Sequence, residues 1–153
     1  MDYLDADLNI WRFQARLTSR LLKWALANLL GGVLLAGMPH PFWRGFGIQS
    51  AGWGLINALI AFWGSRSARK RQASLPDAYT PERQALETRG LKRLLWLNCI
   101  LDILYVLGGL SLVRSREKSD RAGRGHGWGI LVQGSYLFFF DLVHVLLISR
   151  RAK

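Results

Sequence analysis

Two aspartates lie inside long apolar stretches of this 153-residue sequence. Asp102 and Asp141 are the only formal charges in four windows, which span residues 24–43, 45–65, 94–113 and 125–149. Inserting a charge into a membrane costs about 2.5–3.5 kcal/mol, and intramembrane ionisable residues commonly have a function. Two carboxyl groups that lie close together do not both ionise easily, so they share a proton or hold a cation. The pair therefore predicts proton or cation handling.

Other polar side chains accompany these aspartates at similar depths. At about 1.5 Å per residue, each window places one amide or carboxyl roughly 10–14 Å from its inner end. We therefore predict one intramembrane polar site inside a helical bundle, because lipid offers these groups no hydrogen-bond partner. The predicted site consists of Asn28, Asn57, Asn98, Asp102, Asp141 and His144. A secondary polar layer nearer the outer side consists of Gln49, Tyr105, Gln133 and Tyr136.

These polar residues have two interpretations. Interhelical hydrogen bonds that fix the helix register contribute about 0.6 kcal/mol each in membranes, which is a purely structural use. The alternative is a site for a proton or cation. For His144 the alternatives are a packing histidine paired with Asp141, a proton relay, or a haem ligand. The sequence has no Ser-His-Asp, CxxC, HExxH or P-loop pattern, so we predict no catalytic residues, no enzyme activity, no cofactor and no metal site.

The elements that carry these residues are predicted from hydropathy. A window of about 20 apolar residues matches the roughly 30 Å hydrocarbon core of a bilayer. A soluble helix needs a polar face, whereas residues 128–148 are apolar on almost every face. We predict an all-α four-helix transmembrane bundle of two antiparallel hairpins over residues 21–149. Its spans cover about 21–38, 45–64, 94–113 and 128–149, with small residues such as Gly54 and Gly134 at helix contacts.

The segments between the spans are predicted from charge, proline and glycine. Residues 1–20 are amphipathic, with Arg12 and Arg16 beside the apolar Leu8 and Trp11, which predicts an N-terminal amphipathic interfacial helix, an arm on the cytoplasmic surface. The prolines at 39 and 41 predict a tight outer turn. Residues 66–92 are predicted to form a basic cytoplasmic loop, in which Thr80-Pro81 marks a helix start. Residues 114–127 are charged and glycine-rich, which predicts an ill-ordered outer loop.

The charge distribution predicts orientation and excludes one class of partner. The net charge is +11, and 15 of the 21 Lys and Arg lie on the side that carries both termini. Basic residues concentrate on the cytoplasmic side of membrane proteins, so we predict an inner-membrane protein with both termini cytoplasmic. The expected partners are the lipid bilayer and a second copy or another membrane protein. Nucleic acid is not expected, because no reading motif is present.

Three short stretches resemble an uncharacterised family of small four-helix bacterial membrane proteins. They are residues 53–57 (WGLIN), residues 98–102 (NCILD) with Tyr105 and Gly108, and Gln133-Gly134 with Asp141-Leu142. The resemblance covers about residues 20–149. It implies the four-span topology and the importance of the same polar residues, and it implies no activity. Two functions stay open: a structural or accessory bundle, and a small transporter or proton- or cation-handling unit.

Overall fold

A computed structural model describes residues 9–151, which form four helices joined by short connections. The helices are α1 (Ile10–Ala36), α2 (Pro41–Ser74), α3 (Pro81–Ser115) and α4 (Arg121–Arg151). By length and composition, all four can cross a membrane. The predicted all-α four-helix bundle is confirmed.

The helix starts follow the capping signals of the sequence. The Thr80 hydroxyl accepts a hydrogen bond from the Arg83 backbone N–H at 3.3 Å, with Pro81 in the first turn, as predicted. Pro41 likewise stands at the start of α2, and only four residues separate it from the end of α1 at Ala36. At α4, an Asp120 oxygen accepts from the Gly123 N–H at 2.8 Å. These side chains satisfy backbone donors that the first helical turn leaves without partners.

Two segments that we predicted as loops are largely helical. In residues 66–92, only the short connection 75–80 is not helix, because α2 runs on to Ser74 and α3 begins at Pro81. Lys, Arg, Gln and Ala favour helix, so the basic composition of 66–74 extends α2. In residues 114–127, α4 already begins at Arg121. Its first glycines provide space for neighbouring helices: Gly125 lies against the backbone of Phe42, and Gly127 against Val113.

The predicted N-terminal arm continues into the first helix without a break. Residues 1–8 of the arm lie outside the described residues. From Ile10 onward the arm belongs to α1, and Ile10, Trp11 and Leu17 are buried. The Trp11 indole N–H donates to the Ala78 carbonyl at 2.8 Å, which ties the start of α1 to the connection between α2 and α3. The amphipathic face therefore packs against the inner end of the bundle.

The helices do not pack equally against one another. Helix α1 packs along α2, α3 packs along α4, and α2 crosses α4, whereas α2 and α3 make almost no direct backbone contact. Glycines lie at the close contacts: Gly54 faces Ala25 and Leu29 of α1, and Gly109 faces Leu131 of α4. Small residues allow such backbone approach. The result is a bundle with an open side between α2 and α3.

The outer surface of the bundle is apolar. Leu30 and Leu34 of α1 are 67% and 74% exposed, and Phe139 of α4 is 62% exposed. Soluble monomers rarely expose continuous apolar patches larger than about 300–600 Å². Apolar residues on the outside and polar residues inside are typical of helices whose solvent is lipid.

Candidate functional site

One group of polar residues, of which Gln133 is buried and the others are half-buried, forms a closed hydrogen-bond network between α1 and α4. The Trp24 indole N–H donates to Gln133 Oε1 at 3.2 Å, and the Gln133 amide N–H donates to Asn28 Oδ1. The Asn28 amide N–H in turn donates to the Trp24 carbonyl at 2.8 Å. Tyr136 stacks on Trp24 with ring centroids 3.5 Å apart. Each member has a partner, so we call these four residues the α1–α4 network.

A second group of polar residues lies on the other side of the bundle. Asn57 of α2, Asn98 and Asp102 of α3, and Asp141 of α4 line one cavity, and we call them the carboxyl site. Asn98 and Asp102 of α3 both lie close enough to the Asp141 carboxyl to interact with it. Asp102 is 4% exposed and Asp141 6% exposed. The two aspartates of the sequence prediction are therefore brought together.

The cavity occupies the open side of the bundle. It measures about 710 Å³ and extends between α2 and α3, with α4 and the inner half of α1 behind it. An edge-to-face contact between Trp53 and Tyr105, with centroids 4.9 Å apart, bounds it toward the outer side. An ion pair between Arg71 and Glu87, at 3.3 Å, bounds it toward the inner side. Drug-sized ligands occupy cavities of about 300–1,000 Å³.

Two polar atoms at the carboxyl site are buried without a partner. Among residues 9–151, Asp102 Oδ2 and Asn57 Nδ2 are buried and have no hydrogen bond. A buried polar atom without a partner costs about 1–3 kcal/mol. One is an acceptor and the other is a donor. The described residues include no group of three or more His, Cys, Asp or Glu that could hold a metal ion.

His144 has partners other than Asp141. Its Nδ1–H donates to the Phe140 carbonyl at 2.6 Å, and the Arg20 guanidinium donates to its Nε2 at 3.4 Å. A nitrogen that accepts from arginine carries no proton, so this arrangement fits a neutral imidazole. Its ring also packs against Phe140 and Phe13. The expected pairing of His144 with Asp141 is therefore not what the structure shows.

The structure divides the predicted polar site because the register of α1 differs from the depth count. That count started span one at residue 21, whereas α1 begins at Ile10. Gly54 packs against Ala25 and Leu29, so Asn28 lies about one turn farther out than Asn57. Asn28 consequently joins Gln133 and Tyr136, which we predicted for the secondary layer. Of that layer, Tyr105 contacts Trp53, and Gln49 lies against Gly129.

Sequence analysis did not identify the two residue pairs that lie at the ends of the cavity. Trp53 and Tyr105 lie in different hairpins, so their contact has no signature in local spacing. Arg71 and Glu87 are opposite charges on either side of a short connection, and this signal was available. We missed it because residues 66–92 were interpreted as a loop.

The fold and the site together define a class: a bundle of four membrane-length helices with two buried carboxyls in a cavity between α2 and α3. Within that class the chain belongs to a family of unknown function (DUF6992), whose model matches residues 20–142. The match includes the whole carboxyl site. Comparisons with curated proteins and with solved structures gave no match.

Proposed function

We propose that the chain is a multi-pass membrane protein that binds a positively charged species, a proton or a cation, at Asp102 and Asp141. The observation that carries this proposal is the pair of buried carboxyls facing a cavity of about 710 Å³. Carboxyls at this depth are costly unless they are neutralised. A bound proton or cation neutralises them and supplies the partner that Asp102 Oδ2 lacks.

A purely structural use explains these residues less well than it explains the α1–α4 network. Polar side chains that hold helices together pair with one another across the interface. Gln133 and Asn28 do this, whereas Asp102 and Asn57 each leave one buried atom without a partner. Removing such atoms by mutation would stabilise the bundle, so their presence favours a ligand.

We place both termini and the connection 75–80 on the cytoplasmic side. The start of α1 contacts that connection through Trp11 and Ala78, and Ile10, Ala78 and Ile148 share one buried cluster. This end of the bundle carries most of the Lys and Arg, as the positive-inside bias requires. With this orientation the carboxyl site lies in the inner half of the membrane.

Carbodiimide labelling in liposomes tests the proposal. Dicyclohexylcarbodiimide is lipid-soluble and forms a stable N-acylurea with protonated carboxyl groups in apolar surroundings. We expect adducts at Asp102 or Asp141, located by peptide mass spectrometry. Sodium, potassium or an alkylammonium ion that binds the site should slow this labelling.

The matched control is the double variant Asp102→Asn with Asp141→Asn. It removes both reactive groups and keeps the hydrogen-bonding size of the side chains, so labelling should be lost while the helix content is retained. Absence of adducts at both positions in the wild-type protein contradicts the proposal. So does a labelling rate that neither pH nor any of these cations changes.

The second candidate function is an accessory bundle that packs with itself or with another membrane protein. It is favoured by the open side between α2 and α3, where Ile56 and Ile60 are about half exposed. A helix of a partner could cover these residues. Disulfide cross-linking between copies that carry Ile60→Cys tests it, with Leu30→Cys on α1 as the control and with Cys99 replaced in both.

A further inference from the structure

The cavity that contains the carboxyl site is open to the side of the bundle. Ile56 and Ile60 of α2 and Leu101 of α3 line it, and each of them is also more than 40% exposed on the outer surface. Because these residues both line the cavity and are exposed, we infer that the cavity opens to the surroundings of the bundle between α2 and α3. A molecule dissolved in the bilayer can therefore reach the carboxyls without crossing water.

The walls and the floor of this cavity have different chemistry. The walls near the opening are Ile56, Ile60, Leu94 and Leu101. The floor holds Asp102 and Asn57, which are buried to 4% and 3% exposure and have unpaired polar atoms. A complementary ligand has an apolar part for the walls and a positive hydrogen-bond donor for Asp102 Oδ2, which is an acceptor. An alkylammonium group has three N–H donors and no acceptor, so it fits the two carboxyl groups, and the Asn57 Nδ2 donor is not its partner.

The cavity volume decides between an inorganic ion and an organic one. A bare or partly hydrated ion contacts only its oxygen ligands and makes no favourable contact with the apolar walls. The cavity measures about 710 Å³, within the roughly 300–1,000 Å³ typical of sites for organic molecules. The apolar walls contribute binding energy only if a hydrocarbon chain covers them, at about 25 cal/mol per Å².

Depth decides between a phospholipid and a simpler amphiphile. Asp102 lies eight residues beyond Leu94, where the charge-free window of α3 begins, so it is about 12 Å into the apolar region. The ammonium of an aminophospholipid is attached to a phosphate, which would have to enter the hydrocarbon with it. Burying that anion beside two carboxyls is unfavourable. A single-chain amine without a phosphate meets no such cost.

We propose that the cleft between α2 and α3 binds a single-chain amphiphilic amine, which enters from the inner leaflet and places its ammonium at Asp102 and Asp141. This inference rests on the proposed function and adds the ligand class. The tail extends past Ile56 and Ile60 toward the lipid. The second copy or partner helix considered above would compete for the same opening.

The test is photo-cross-linking of the full-length protein in liposomes with a dodecylamine that carries a diazirine on its chain. We expect cross-links on α2 within residues 53–67 and on α3 within residues 86–105. Unlabelled dodecylamine should compete at least tenfold better than dodecanol, which has the same chain and no charge. The variant Asp102→Asn with Asp141→Asn should lower cross-linking at least tenfold.

A second pair of variants keeps the test valid if the aspartate variant does not fold. Ile60→Trp fills the opening and leaves both carboxyls, and it should also lower cross-linking. Leu30→Trp places the same residue on the outer face of α1, where Leu30 is 67% exposed, and should change nothing. Equal competition by dodecanol and dodecylamine would overturn the inference, as would cross-links that none of the cleft variants reduces.

The outcomes separate this inference from the proposed function. If sodium or butylamine protects Asp102 and Asp141 from carbodiimide as well as dodecylamine does, the site binds cations in general and the proposal of an amphiphilic ligand is wrong. If no cation protects and the labelling depends on pH, the site binds protons and the amphiphile inference fails; if neither pH nor a cation changes the labelling, both proposals fail. A different outcome is cross-linking of two protein copies at the cleft positions, at a yield that dodecylamine does not change. That result would assign the opening to a second copy and overturn the proposal of an amphiphilic ligand.

Discussion

The α1–α4 network and the carboxyl site contain similar polar residues and differ in how completely these are paired. In the network, the amides of Asn28 and Gln133 and the indole of Trp24 form a ring of hydrogen bonds. In the carboxyl site, Asn98 lies close to Asp141, while Asp102 and Asn57 each keep an unpaired buried atom beside a cavity. The comparison indicates that the first group holds helices together and the second group is arranged for a ligand.

The difference has a geometric cause. The side chains of α1 and α4 reach each other, so their polar atoms meet. Helices α2 and α3 are held apart, with contacts only near the two ends of the cavity, at Trp53–Tyr105 and at Arg71–Glu87. Polar residues on these helices face a space instead of a partner. The stability of the two groups should therefore respond differently to the same substitutions.

The largest effect on stability is expected for Gln133→Leu. This change removes the acceptor of the Trp24 N–H and the donor to Asn28, and leaves both half-buried groups without partners. We expect the free energy of unfolding to fall by about 1–3 kcal/mol, measured by denaturation in mixed micelles. The control is Gln49→Leu, because within the described residues the Gln49 side chain has no hydrogen bond. Equal losses in both variants would contradict a structural role for the network.

A smaller contrast is expected between Asn28→Leu and Asn57→Leu. Asn28 has two hydrogen bonds in the network, so its loss should cost about 1 kcal/mol. The Asn57 amide nitrogen has no partner among residues 9–151, and leucine of similar size removes that unpaired atom. Asn57→Leu should therefore leave the free energy of unfolding unchanged or raise it. The reverse order, with Asn57→Leu the more damaging, would mean that the carboxyl site stabilises the bundle.

The variant Asp102→Asn with Asp141→Asn should change stability by no more than about 0.6 kcal/mol, the average worth of an interhelical hydrogen bond in membranes. An amide oxygen at position 141 can still accept from Asn98. Thermal unfolding in detergent measures this, alongside the carbodiimide and cross-linking readouts that the same variant should lose. A loss of more than 2 kcal/mol with retained ligand readouts would reverse our assignment of the two groups.

The smallest effect is expected for Glu87→Gln, which removes the ion pair with Arg71 at the inner end of the cavity. The Arg71 and Glu87 side chains are 46% and 16% exposed, and many ion pairs that water can reach contribute nothing measurable to stability. The melting temperature should therefore change little. If this pair limits access to the cavity from the cytoplasmic side, carbodiimide labelling of Asp141 should become faster. Asp77→Asn, which removes the ion pair with Arg83 away from the cavity, is the control.

The sequence by itself determined the fold class and which residues are unusual. Hydropathy alone requires four helices, since no other structure satisfies the backbone of such apolar stretches in lipid. Thr80-Pro81 and the prolines at 39 and 41 mark helix starts because their chemistry is local. Asp102, Asp141 and Gln133 are conspicuous as polar residues in apolar windows, and all three are buried.

Only the tertiary structure decided which polar residues meet. The grouping depends on the register between helices, and this is set by close contacts such as Gly54 with Ala25 and Gly109 with Leu131. A shift of one turn moves Asn28 from the carboxyls to Gln133, and no local pattern encodes that shift. The cavity likewise lies where α2 and α3 stay apart between their contacts at Trp53–Tyr105 and Arg71–Glu87, and a gap between two helices leaves no trace in the spacing of either one.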